Sequence, residues 1–334
     1  MKNIFNISSQ AAFREQCLAV FRYQYQHVEI YRRFCDYLHT DPMKMDSIEK
    51  IPFLPIEMFK NHQVLDEKFS PKHFFQSSGT TQTVRSRHYL ADFDLYEQSI
   101  GKSFSQFIGP PEDYVFLGLL PNYSENPHAS LIYMVDFLMK KSGKPENGYY
   151  LYNHGELRDL LASLRHQKVL LFGVSFALLD FLDYCTENHV ELPQNPQLTI
   201  IETGGMKGRK EEMTKDQLLS ILQKGFRSER IFSEYSMTEL LSQAYSTGEN
   251  IYYSPDWMRI LIRNTEDPFA YMPADRTGAI NIIDLANLHS CAFIATQDLG
   301  ILHHTDLAHS IHPAFSVVGR IDHSDIRGCS LLVS

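Results

Sequence analysis

Between about residues 113 and 236 the chain alternates two kinds of apolar pattern. The short runs DYVFLGLLP, GYYLYN, KVLLFGV, QLTIIETGG and RIFSEYS have the length and side-chain content of strands. Between them lie ASLIYMVDFLMKKSG, ELRDLLASLRHQ, FALLDFLDYCTEN and KDQLLSILQKGF, which read as helices. The first of these helices closes on Gly143 and the fourth strand ends on paired glycines, Gly204 and Gly205. Such alternation predicts an α/β domain built on a mainly parallel sheet. In sheets of that kind ligands gather beyond the carboxyl ends of the strands, so strand ends are where site residues are sought.

The flanks read differently. From about Ser9 to Leu38 the apolar residues recur at three and four behind Ser8 and Ser9, which predicts a helical region with one of those serines as N-cap. IPFLPIEMFK follows, and its two prolines mark it as extended or loop. After about Asn250 the helical patterns thin out, and WMRILIRN, GAINIIDL and CAFIATQDLGIL read as strands joined by turns. The expected organisation is an α/β core with an N-terminal helical region over residues 1–250 and a mostly β subdomain over 251–334.

A chain of 334 residues with 43% apolar and 21% charged residues is an ordinary globular composition, large enough for one or two domains. A net charge of −9 argues against a nucleic-acid or anionic-membrane surface, though not against a small anionic substrate. The five cysteines, Cys17, Cys35, Cys185, Cys291 and Cys329, are scattered without a C-x-x-C pair, which argues against a disulfide framework or a cysteine zinc site. Reduced thiols, no secretory leader in MKNIFNISSQAAFREQ, and no run near the ~20 apolar residues of a membrane span lead us to expect a cytoplasmic protein.

The stretch FFQSSGTTQTVRSRHYL, residues 74–90, carries Ser77, Ser78, Gly79, Thr80 and Thr81, then Arg85 and Arg87. Glycine flanked by hydroxyl residues offers N–H and O–H donors at close range, which suits phosphate oxygens. It is not a Walker A loop, because Val84 stands where that motif needs its second glycine and no Lys follows. A hydroxyl-rich surface turn is the other reading. Three more segments keep it company. SEYSMTE puts Tyr235, Thr238 and Glu239 at an expected strand-to-helix turn, where Tyr235 would stack on a base, Thr238 bond a phosphate and Glu239 hold Mg²⁺. ATQDLG sets Asp298 at a strand end, within reach of a ribose diol. GRIDHSDIRG offers Arg320 to phosphate or ribose, or else forms a hairpin with a surface arginine.

SSGTT, YSMTE, TQDLG and GRID…RG follow one another in the order and rough spacing of the core motifs of adenylate-forming enzymes, which the chain resembles from about Ile51 onward. In that superfamily the first motif usually runs S-S/T-G-T-T-G-x-P-K; here Gln82 replaces the last glycine. With TVRSRHYL after it, IPFLPIEMFK before it and ETGGMKGR further on, the chain is similar to the acyl-protein synthetase component of the fatty-acid reductase of luminous bacteria. The resemblance implies the large N-terminal domain of adenylate-forming enzymes, layered from sheets and helices, without their mobile small C-terminal domain and its catalytic Lys. It implies ATP and Mg²⁺ as cofactors, with Ser77 to Thr81, Arg85, Arg87, Gly204, Gly205, Tyr235, Asp298 and Arg320 around the nucleotide. Thr238 and Glu239 would be catalytic, with Glu239 on the metal.

The resemblance also implies an activity. A fatty or other carboxylic acid would become acyl-AMP, and a protein thiol would then take the acyl group. Near the end, in RGCSLLVS, Cys329 is the candidate nucleophile, with Arg327 nearby to lower its pKa; a final-strand cysteine is the alternative. The expected partners are the acid and an acyl reductase or other acceptor protein. CoA as acceptor, or adenylate binding without turnover, remain open. His303, His304, His309 and His312 cluster in HHTDLAHSIH but match no standard metal spacing. Cys17, Cys35 and Cys185 fall in helical patterns as core residues, and His128 reads as a loop residue.

Overall fold

The computed structural model describes residues 4–77, 84–121, 126–204, 213–303 and 310–321. Helices α1 (Gln10–His27) and α2 (Glu29–Tyr37) open the chain. Then come β1 (Leu54–Pro55), α3 (Met58–Asn61), β2 (His73–Gln76), β3 (Arg87–Leu90) and α4 (Asp94–Phe107). The central run is β4 (Val115–Leu119), α5 (Ser130–Ser142), β5 (Gly148–Tyr149), α6 (His154–Ser163), β6 (Val169–Val174), α7 (Ser175–Glu187), β7 (Leu198–Thr203), α8 (Lys215–Phe226) and β8 (Ile231–Tyr235). Strands β9 (Ala244–Ser246), β10 (Met258–Arg263), β11 (Gly278–Asp284), β12 (Phe293–Leu302) and β13 (Phe315–Arg320) follow.

The alternation produces the expected sheet, in the order β5-β4-β6-β7-β8-β9. All its pairs are parallel except β8 with β9. Its central strands are buried on both faces. Val115, Leu117, Val169, Leu171 and Ile200 join α6, α7 and α8 in one apolar cluster, while Phe116, Leu170, Phe172 and Ile201 join α4 and α5 in another. That is why these strands read as near-continuous apolar runs rather than as alternating ones. Gly143 closes α5 in the left-handed region at φ +63°, which its missing Cβ permits. GYYLYN contributes only the two residues of β5 before a turn.

The C-terminal strands form a second sheet, with β10, β11 and β12 antiparallel. The far edge of β12 is shared end to end by β1, which pairs at Ile294–Ala295, and β13, which pairs from Asp298 to Leu302. IPFLPIEMFK is extended as expected where it forms the edge strand, and departs from that reading only in the single-turn α3. The predicted N-terminal helical region breaks at Val28, which is extended (φ −113°, ψ 98°). Ser9 caps α1 by accepting the Ala12 N–H at 3.2 Å. Phe13, Cys17, Val20 and Phe21 of α1 then bury against the second sheet, where Phe21 and Tyr31 meet Phe293. Cys17, Cys35 and Cys185 are buried, as their helical patterns suggested, and so is Cys291.

Candidate active site

The hydroxyl-rich loop is the tip of a hairpin, β2 with β3, and Ser77 and Ser86 close its base. The Ser77 N–H donates to the Ser86 carbonyl at 3.1 Å, and the Ser86 N–H donates to Ser77 Oγ at 3.1 Å. Ser78, Gly79, Thr80, Thr81 and Gln82 lie outside the described residues, as do Gly205, Arg327 and Cys329. From Arg85 to Leu90 burial alternates almost residue by residue. Arg85 and Arg87 face solvent, while Ser86, His88 and Leu90 are buried. Arg87 lies 5.4 Å over the ring of Phe74, whose own ring stacks on His128 at 4.3 Å. Both cations are thus exposed on one side of the segment, and neither forms an ion pair with a carboxylate among the described residues.

The buried side of the hairpin meets the SEYSMTE segment. Ser86 Oγ donates to the Glu239 carboxylate. His88 Nδ1 donates to the Thr238 carbonyl at 3.0 Å. The segment is not the expected strand-to-helix turn. It leaves β8 as a non-helical turn and returns as antiparallel β9. Asp284, the last residue of β11, fixes the turn's far half. It accepts the N–H groups of Leu241 (2.8 Å) and Ser242 (3.0 Å) and the Ser242 hydroxyl (2.5 Å). Those bonds satisfy backbone donors that a helix would have used internally.

Three predicted residues from different motifs meet at the carboxyl end of β8. The Tyr235 hydroxyl donates to Asp298 Oδ2 at 2.9 Å, and Arg320 Nε stands 3.3 Å from Asp298 Oδ1. Asp298 and Arg320 are opposed in the β12–β13 register, so the sheet itself pairs them. Tyr235 packs edge-on to Phe315 and Tyr252. Burial, and then the Asp298 charge, push its hydroxyl well above its ordinary pKa, so it stays a donor. Beside it Gly204 turns at φ +82°, a conformation that favours glycine, at the end of β7. Below that turn Lys215 pairs with Glu202 at 2.9 Å, and Ser175 donates to the same carboxylate.

Glu239 is 6% exposed. Burial raises the pKa of its carboxyl, while the Ser86 hydrogen bond and the charges of Lys60 and Arg320 pull the other way. A single carboxylate suits Mg²⁺, which is commonly held by one or two carboxylates together with substrate phosphates. No group of three His, Cys, Asp or Glu side chains among the described residues is arranged to hold a metal. Of the four clustered histidines, two are described. His303 bonds Ser316 at 2.8 Å, buried His312 donates to the Asp256 carbonyl at 3.0 Å, and His304 and His309 lie outside the described residues.

Sequence reasoning passed over Ser86, His88, Asp284 and Asn287. The signal for the first two was present: period-two alternation through RSRHYL puts Ser86 and His88 on one side and the two arginines on the other. Nothing local marks Asp284 or Asn287, whose bonds to the turn after β8 span more than 40 residues.

Residues 5–98, from the N-terminal helices through the hairpin into α4, match the family model described as acyl-protein synthetase, LuxE. A comparison of the sequence with curated proteins gives no match. Among solved structures, the fold is similar to 2-hydroxyisobutyryl-CoA ligase in an open conformation in complex with 2-HIB-AMP and CoA. The TM-score is 0.70 at 13% identity, over 95% of this chain and 72% of that one. It is also similar to the luciferase-like enzyme of the nonluminescent mealworm Zophobas morio (TM-score 0.53, 13% identity, 85% and 61%). ATP-bound MatB from Rhodopseudomonas palustris is a third neighbour (TM-score 0.53, 14% identity, 74% and 47%). The resemblance read from the sequence is thus borne out in two parts: a family-model match over residues 5–98, and a fold shared with these solved enzymes, across 95% of this chain for the CoA ligase.

Proposed function

We propose that the chain activates a carboxylic acid with ATP to an acyl-AMP and hands the acyl group to a protein thiol. The observation that carries this reading is the convergence of the predicted motifs. The base of the Ser77–Ser86 loop, Glu239, Tyr235, Asp298 and Arg320 meet around one end of the parallel sheet. A family match to acyl-protein synthetases and a fold shared with enzymes solved holding ATP or acyl-AMP support it.

In this reading a substrate carboxylate oxygen attacks the α-phosphorus of ATP. The P–O bond to the β-phosphate breaks, and pyrophosphate leaves with the electron pair. Asp298 would hold the ribose diol, with Tyr235 fixing that carboxylate and Arg320 balancing its charge. Arg85, Arg87 and the Ser77–Thr81 hydroxyls and N–H groups would take the phosphates, an arginine gripping phosphate through its planar fork. Mg²⁺ on Glu239 and phosphate oxygens would neutralise charge on the triphosphate. Chemistry of this kind asks mainly for positioning and charge stabilisation, and the rigid frame around Glu239 suits that demand. In the second half-reaction the sulfur of Cys329 attacks the acyl carbon, the C–O bond to AMP breaks, and the thiol proton passes to solvent. An acyl-reductase or other acceptor protein would receive the acyl group from there.

ATP–pyrophosphate exchange across a panel of carboxylic acids tests the first half; no exchange with any acid rejects it. Labelled acyl transfer to protein tests the second, and labelling undiminished by Cys329→Ser removes that cysteine from its role. The neighbour solved with both 2-HIB-AMP and CoA favours one alternative, in which CoA is the acceptor. Release of free acyl-CoA by the purified chain would select it.

A further inference from the structure

We propose that His88 and Asn287 are positioning residues that hold the Thr238–Glu239 peptides in place, and that one water molecule bridges them from behind. The catalytic sense of this proposal rests on the reading above; its geometry does not.

Thr238 and Glu239 are consecutive, and each gives its carbonyl to a side chain from a different element. The Thr238 carbonyl accepts from His88 Nδ1, on β3, at 3.0 Å. The Glu239 carbonyl accepts from Asn287 Nδ2, just beyond β11, at 2.7 Å. A peptide pinned at two successive carbonyls keeps little freedom to rotate. Glu239, which also accepts from Ser86, is therefore aimed by three side chains outside its own segment. Phe59 of α3 meets the His88 ring edge-on at 5.6 Å and fixes its plane.

These bonds settle the chemistry of what remains. A carbonyl can only accept, so Nδ1 of His88 carries the proton and Nε2 is left an acceptor. Asn287 spends its amide N–H on Glu239, so Oδ1 is likewise an acceptor. Both atoms are buried and neither makes a hydrogen bond of normal geometry among the described residues; the Asn287 side chain stands near enough to favour a proton on the His88 ring, but with that proton on Nδ1 two facing acceptors cannot satisfy each other. Both residues line one cavity of about 20 Å³, together with Leu90, Leu241 and His289. That is room for about one water, which brings two donors, the complement of two acceptors. His88 is 0% exposed, and burial lowers its pKa to about 4, in keeping with a neutral ring of this tautomer.

Two variants separate positioning from mere support. The amide nitrogen of Asn can stand in for Nδ1 of His, whereas that of Gln stands nearer Nε2. In ATP–pyrophosphate exchange, His88→Gln is expected to lose kcat about tenfold more than His88→Asn, with KM for ATP moving far less. Equal losses, or losses in step with thermal stability, would overturn the positioning role. Nitrogen-15 NMR of histidine-labelled wild-type protein supplies a readout that does not depend on turnover. It is expected to show His88 neutral at pH 7 as the Nδ1–H tautomer, with a slowly exchanging ring proton. An Nε2–H tautomer would overturn the geometry whether or not any acid is activated.

Discussion

The Ser86 hydroxyl donates to the Glu239 carboxylate across 153 residues of sequence. This bond joins Ser86, at the base of the hairpin, to the turn after β8. If Glu239 carries the metal, the same bond ties Ser86 to the metal ligand.

Ser86→Ala should therefore act on both stability and catalysis. It removes a donor from a carboxylate that is already buried, at a cost of about 1–2 kcal/mol in urea unfolding. The loss of kcat in pyrophosphate exchange should exceed that of a surface serine such as Ser163→Ala by about tenfold. Unchanged exchange would detach the loop from the site.

Tyr235→Phe deletes the hydroxyl that holds Asp298 and keeps the ring against Phe315. A ribose contact made equally in ground and transition states predicts a rise in KM for ATP with little change in kcat. One lost hydrogen bond of about 1 kcal/mol corresponds to roughly fivefold. A steady-state ATP titration at saturating acid measures it, and a fall in kcat at constant KM would refute the assignment.

Gln24 is fully buried in α1 and spends its whole side chain on the loop that follows β11. Its amide N–H groups donate to the Asn287 (2.7 Å) and Leu288 (3.0 Å) carbonyls, and its carbonyl accepts the Ala292 N–H at 3.0 Å. Gln24→Leu strands those backbone groups. Chemical denaturation should show a loss of about 2–4 kcal/mol, large for one residue outside any strand. A loss below about 1 kcal/mol would mean the helix does not anchor that loop.

His312 packs on Phe13 at 4.4 Å and is buried, which pushes its pKa down to about 4; the nearby Arg259 charge adds to this and its bond to the Asp256 carbonyl opposes it. Folded and unfolded chains both hold it neutral above pH 6.5. As the pH falls from there toward 4 the unfolded chain takes up the proton first, so stability is lost through that window, by up to roughly 1.4 kcal/mol per pH unit. His312→Gln lacks this titration. Its stability deficit against wild type should narrow between pH 7 and pH 5 in paired denaturation curves, and a constant deficit would contradict a buried neutral His312.

The regular elements were legible because their causes are local. Apolar spacing in ASLIYMVDFLMKKSG and Gly143 behind it specify α5 and its end, and the runs in KVLLFGV and QLTIIET specify strands buried on both faces. The helix expected after SEYSMTE failed because Asp284, from another sheet, supplies hydrogen bonds that compete with a helical ladder. The break at Val28 and the pairing of Leu54 with Ile294 were equally out of reach, since each depends on what α1 and β12 pack against.

The sequence by itself determined the parallel sheet, the order of the four motifs and the residue types they carry, because periodicity and short-range chemistry are written within a few residues. Only the tertiary structure decided which of those residues meet. Tyr235 finds Asp298 because β8 ends beside β12, and Asp298 opposes Arg320 because of the β12–β13 register. Ser86 and His88 turn inward to Glu239 and Thr238 while Arg85 and Arg87 turn out, because one face of a hairpin must bury its polar groups against partners.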